Sequence, residues 1–91
     1  MAATEREPQR FQREVVRRTL GRNLTALRRR RKWSQAKLAS QLGVGRCRLA
    51  KWETGEHSPP VEMLPAIAEA LEAGVEEIVG GLLGKQMGKE K

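Results

Sequence analysis

One stretch of this chain, Gln35 to Thr54, places small and apolar residues where two tightly crossed helices need them. Counted from Gln35, Ala39 is fifth, Gly43 ninth, Val44 tenth, Leu49 fifteenth and Trp52 eighteenth. Two short helices that cross beside a sharp turn need a small residue at the crossing, so that the second can lie over the first. They also need a residue tolerant of positive φ at the corner, which favours Gly. The other apolar positions form a wedge beneath both helices. Ser34 is a good N-cap for the first helix, and Gly43 suits its exit. Gly45 can cap the second helix, Arg46 to about Glu53, with Leu49 and Trp52 facing inward.

The flanking sequence is also helical in pattern. Phe11, Val15, Val16, Leu20, Leu24 and Leu27 recur mostly four apart, which is one face of a helix. Gly21 interrupts the stripe. It marks a division between a short N-terminal helix and the domain's first helix, expected from about Thr19 to Arg31 with an upstream extension as the alternative. Residues 1–7 read as a frayed arm, and Pro8 can open the N-terminal helix. Thr54 to Pro60 is a loop by composition. Val61, Met63, Leu64, Ile67, Ala68 and Leu71 predict a fourth helix. Gly74 then caps a fifth, with Val75, Ile78, Val79, Leu82 and Leu83 apolar. No strand pattern and no repeat is visible. The expected architecture is all-α with five helices: residues 1–18 a basic N-terminal arm or helical extension, 19–83 the domain, and 84–91 a polar tail.

Charge divides the chain unevenly. Residues 1–33 hold eleven Lys and Arg against three acids, residues 34–60 four against two, and residues 61–91 three against six. A basic N-terminal and middle portion within a net charge of +7 fits a polyanion partner. It equally fits a solvated face. The run Arg28-Arg29-Arg30-Arg31 points all round a helix, so these side chains cannot all meet one partner. With no Tyr, one Phe and two Trp, the chain lacks the rings that stack single-stranded bases.

Several chemistries have no residues to carry them. One Cys and one His supply neither a disulfide nor a structural zinc site. There is no nucleophile–base constellation and no glycine-rich phosphate loop after a strand, so no enzyme and no cofactor is expected. No apolar run approaches the ~18 residues of a membrane span. The polar first ten residues do not read as a signal peptide. A reducing, cytoplasmic setting is the expectation.

The stretch LGRNLTALRRRRKWSQAKLASQLGVGRCRLAKWETG, continued by PPVEMLPAIAEALEAGVEEIVGG, resembles the Cro and lambdoid-repressor-like helix-turn-helix domains of phages and bacteria. The resemblance covers about residues 19–81. Ser-Gln, Leu-Ala, Leu-Gly-Val, Lys-Trp-Glu-x-Gly and Leu-x-x-Ile-Ala-x-Ala-Leu fall in order, so it is specific. It implies a five-helix domain that binds double-stranded operator DNA as a homodimer and regulates transcription, as a repressor does.

The resemblance also implies roles. Ser34 and Gln35, at the start of the second helix, would hold a backbone phosphate. From the third helix, capped by Gly45, the side chains of Arg46, Cys47 and Lys51 would enter the major groove. Arg46 is the best specific reader, since its fork can bond O6 and N7 of guanine together. Arg48 would meet the backbone. Arg28 and Glu53 would pair across the first and third helices. Two departures stand out: Gly45 replaces the usual Ser or Thr, and Lys32 stands where Gly commonly ends the family's first helix.

The remaining residues have plainer readings. Trp33 and Trp52 read as core. Cys47 reads as a small exposed side chain, with redox sensing as the alternative, and His57 as a solvent-facing loop residue. A different functional class also stays open: a protein-interaction module of the same fold, such as an antitoxin or coactivator. The acidic, apolar segment Val75 to Leu83 suits a dimer surface or a partner protein.

Overall fold

The computed structural model describes residues 2–81, with side chains from residue 13 onward. Within them lie α1 (Ala2–Arg30), α2 (Gln35–Leu42), α3 (Arg46–Thr54), a 3₁₀ turn (Val61–Met63), α4 (Leu64–Leu71) and α5 (Val75–Ile78). No strand occurs among the described residues.

Each short helix has a local cause for its ends. Ser34 caps α2, its Oγ accepting from the Lys37 N–H at 3.0 Å. Gly43 closes α2 in the left-handed region at φ 72°, and the Val44 N–H then donates back to the Ala39 carbonyl. Gly45 is extended, and α3 starts immediately after it. At Gly74 the backbone N–H donates to Glu77 Oε2, so the third residue of α5 caps its own helix.

Gly21 does not break α1. It is buried inside the helix, where a Cβ would stand 2.6 Å from the Trp52 carbonyl oxygen and closer still to that of Glu53. The glycine therefore serves the crossing of α1 over the end of α3. The expected start near Thr19 and the frayed arm over residues 1–7 are thereby corrected: α1 begins at Ala2 and runs unbroken through Pro8 and Gly21.

The core is one cluster. Leu20, Leu24 and Leu27 of α1 meet Leu38 and Ala39 of α2, Leu49 and Trp52 of α3, Ile67, Ala68 and Leu71 of α4, and Ile78 of α5. These residues come from the stripes expected from spacing, but Val15 and Val61 of those stripes are exposed, and Val61 and Met63 form the 3₁₀ turn rather than the start of α4. α3 is held against α1 and α2. Trp33 differs from its reading as core. It packs at the margin, half-buried, with the Arg31 guanidinium carbon 4.4 Å and the Lys37 Nζ 5.6 Å from its ring centroid.

The fifth helix is shorter than its apolar run predicts. It ends at Ile78, where Asn23 Nδ2 of α1 donates to the carbonyls of Ile78 and Gly80, both at 2.7 Å. Gly81 then turns at φ 90°. Leu82, Leu83 and the 84–91 tail lie outside the described residues.

Candidate nucleic-acid interface

α3 is two-faced by necessity. Leu49 and Trp52 are buried at 0% and 2% exposure, and this fixes the helix's rotation about its own axis. Arg46, Cys47, Arg48 and Lys51 are consequently all exposed. Arg46 is the first side chain after the Gly45 cap. Cys47 and Lys51 stand one turn apart on the same face, as side chains at i and i+4 do. The Arg48 guanidinium carbon lies 6.0 Å from the Trp52 ring centroid, to the side of that face.

The helix is tied at its far end by a network of three side chains and one backbone carbonyl. Arg28 Nε donates to Glu53 Oε2 at 2.7 Å and Nη2 donates to Oε1 at 3.1 Å, a bidentate fork. Arg28 Nη1 also donates to the Trp33 carbonyl at 2.7 Å. Gln35 Nε2 donates to Glu53 Oε1 at 3.0 Å. The Arg28 and Glu53 side chains are only 10% and 5% exposed, so the pair is desolvated and its hydrogen bonds decide its worth. Burial raises the Glu53 pKa. The hydrogen bonds from Arg28 and Gln35 and the Arg28 charge outweigh it, and the carboxyl ends below its ordinary value.

The sequence signals missed the link from Glu53 to Gln35. That bond occupies part of the Gln35 amide, and it brings the N-terminus of α2 into the network that orients α3. A Gln and a Glu eighteen residues apart carry no local signature; only the packed crossing of α2 on α3 joins them. Ser34, beside it, is exposed. Among the described residues every buried side-chain nitrogen and oxygen has a partner. No three His, Cys, Asp or Glu side chains come together there as metal ligands would.

Residues 19–79 match the family described as "Helix-turn-helix domain". The chain belongs to this family. Its helix-turn-helix is α2, the Gly43 turn and α3. The chain is also 37% identical over 62 residues to the immunity repressor protein of Bacillus phage phi105, covering 68% of this chain and 43% of that protein. It is 38% identical over 47 residues to the cryptic phage CTXphi transcriptional repressor RstR of Vibrio cholerae, covering 52% of this chain and 42% of that protein. The helix-turn-helix chain thus spans less than half the length of these curated relatives.

Two solved structures share its shape. The restriction-modification controller protein C.AhdI from Aeromonas hydrophila superposes with a TM-score of 0.64 at 26% identity, covering 67% of this chain and 92% of that one. A hypothetical transcription factor from Neisseria, NHTF, gives a TM-score of 0.70 at 22% identity, covering 84% and 85%, a likeness of fold. Among the described residues no helix is long and apolar enough to cross a membrane.

Proposed function

We propose that this helix-turn-helix protein binds duplex DNA sequence-specifically and acts as a repressor-like transcriptional regulator in the cytoplasm. The observation that carries the reading is the exposed face of α3. Its cationic side chains project from a helix whose other face is locked into the core and whose end is fixed by Arg28, Glu53 and Gln35. A rigid helix that presents Arg and Lys outward is what reading base edges in a major groove requires. Two repressors among its relatives support the regulatory role.

In this reading Arg46 bonds a guanine bidentately, Cys47 meets a thymine methyl and Lys51 reaches a base or phosphate. Ser34, Gln35 and Arg48 hold the backbone. Gly45 lets α3 begin close to the groove. A homodimer places two such helices about one DNA turn, ~34 Å, apart.

The test is selection of bound duplexes from a random pool, followed by affinities of Arg46→Ala and Arg48→Ala on the selected site and on scrambled DNA. Arg46→Ala is expected to cost ~1–3 kcal/mol on the selected site and to relax one base position. Arg48→Ala is expected to weaken all duplexes alike and to lower the salt slope by about one ion. Enrichment of no sequence, with neither variant altering DNA affinity, would favour the protein-interaction reading instead.

A further inference from the structure

A concave groove runs beside the exposed face of α3. It is lined by Cys47, Arg48, Lys51 and Trp52 of α3 and by His57, Ser58 and Pro60 of the loop that follows. The loop wall is pinned in place. The His57 N–H donates to the Lys51 carbonyl at 3.1 Å, and the Thr54 hydroxyl donates to the same carbonyl at 3.2 Å. The Glu56 N–H donates to the Thr54 hydroxyl at 3.4 Å. Pro59, next along the loop, is buried. His57 and Ser58 are nevertheless exposed, so the loop presents them on a fixed backbone rather than tucking them in.

We infer that His57 and Ser58 form, with Arg48 and Lys51, a phosphate-binding wall beside α3, and that duplex DNA is held more tightly when the His57 imidazole is protonated. The inference rests on the reading of the chain as a duplex binder and adds a contact and a regulation to it. Its chemistry is that of a phosphodiester: two fixed cations, a hydroxyl donor and a ring that can supply one more N–H and one more charge. A phosphate seated there favours the charged ring, as any near opposite charge does. Binding and proton uptake are then linked. The charged or titratable groups lining the groove are Arg48, Lys51, the Cys47 thiol and His57 itself. Glu56, beside His57 in the loop, is exposed and does not line it.

The single histidine of the chain makes the test clean, because histidine is the side chain whose ordinary titration falls between pH 5 and 8. Affinity of the full chain for a labelled duplex would be measured at constant ionic strength from pH 5.5 to 8, for wild type, His57→Gln and Cys47→Ser. Wild type is expected to bind about three- to tenfold more tightly at pH 6 than at pH 8, the scale of one charge-assisted contact. Its salt slope should be steeper at pH 6 by about one ion. Cys47→Ser, whatever its own affinity, should show the same ratio of affinities between pH 6 and pH 8. His57→Gln should lose it and bind throughout as wild type does at pH 8. A flat wild-type profile with duplex bound, or an unchanged profile in His57→Gln, would overturn the phosphate wall and leave the DNA-binding reading standing. Absence of duplex binding at every pH would overturn both.

Discussion

Gly21 sets two residue-level rules against each other. Helix propensity favours Ala over Gly inside a helix by about 1 kcal/mol. Contact opposes it, because the added methyl would press on the carbonyls of Trp52 and Glu53, which are backbone and cannot rotate aside. Overpacking of this kind costs about 1–3 kcal/mol and occasionally more. Sterics should win, so Gly21→Ala is expected to lower stability by about 2 kcal/mol in urea denaturation. A more stable variant would show that α1 and α3 do not cross this closely. Glu53 gives a second prediction at the same scale. Its folded pKa is lowered, so the folded chain holds that proton less tightly than the unfolded one. Its stabilising contribution is therefore complete above the ordinary value of 4.5 and is lost as pH falls through the lower folded value. Glu53→Gln, which mimics the protonated acid and leaves Arg28 buried without its counter-charge, should cost about 3 kcal/mol at neutral pH. It should also flatten the acid limb of stability against pH. A variant whose acid limb matches wild type would place the titration elsewhere.

At the scale of elements, three helices end in the same way with three different residues. After α1, α2 and α4 the closing residue sits in the left-handed region: Lys32 at φ 61°, Gly43 at φ 72° and Glu72 at φ 53°. In each case the next N–H donates back five residues, to Arg28, Ala39 and Ala68 respectively. The left-handed conformation costs a non-glycine residue about 1–2 kcal/mol. Glycine returns part of that gain through its freer unfolded chain, about 0.5–1 kcal/mol. Lys32→Gly is therefore expected to stabilise the fold by about 0.5–1 kcal/mol, a rise of about 3–6 °C in Tm by calorimetry for a chain of this size. No rise would mean that Lys32 gains from its own side chain what it loses in backbone strain. These ends also show what was legible in the sequence. The helices and their buried stripes could be read from spacing, and the Gly43 corner from its residue. Glu72 carries no such mark, and Lys32 is marked only by the resemblance, as the place where Gly commonly ends the first helix; the strain of both is imposed by the packing of the helices they join. Gly21 misleads in the opposite sense: its reason lies in α3, far along the chain. At the site, the outward placement of Arg46 and Lys51 followed from the inward placement of Leu49 and Trp52. The Gln35 bond to Glu53, the Asn23 clamp on Ile78 and the pinning of the His57 loop depend on contacts between elements and had no local signal.

On the scale of the whole molecule, the basic residues lie mainly before Pro60 and the acids predominate after it, although the two parts meet where Arg30 pairs with Glu77 and Arg31 with Glu72. The basic part holds α3 and suits DNA. The acidic part holds α5, whose Val75 is 39% exposed, and Val79 just after it is half-buried. One helix reads few base pairs, so the proposed regulator gains useful specificity when two copies read two half-sites. A two-fold dimer over α5 would cover Val75 and leave α3 free. Val75→Glu separates this interface from the fold. Val75 opens α5, where a carboxylate is favourable beside the free N–H groups of a helix start, and it already stands partly in water. The monomer should therefore keep its Tm at dilution. Across a two-fold axis the same substitution brings carboxylates of both copies together, next to Glu76 and Glu77, and removes apolar contact. Dimerisation is expected to weaken at least tenfold, about 1.4 kcal/mol. Binding to a two-half-site operator should fall with it, while binding to a single half-site holds. Sedimentation equilibrium with and without duplex measures the first effect, and titration of both duplexes the second. A wild-type chain that stays monomeric at high concentration on and off DNA, or a variant that dimerises as wild type does, would move the interface away from α5.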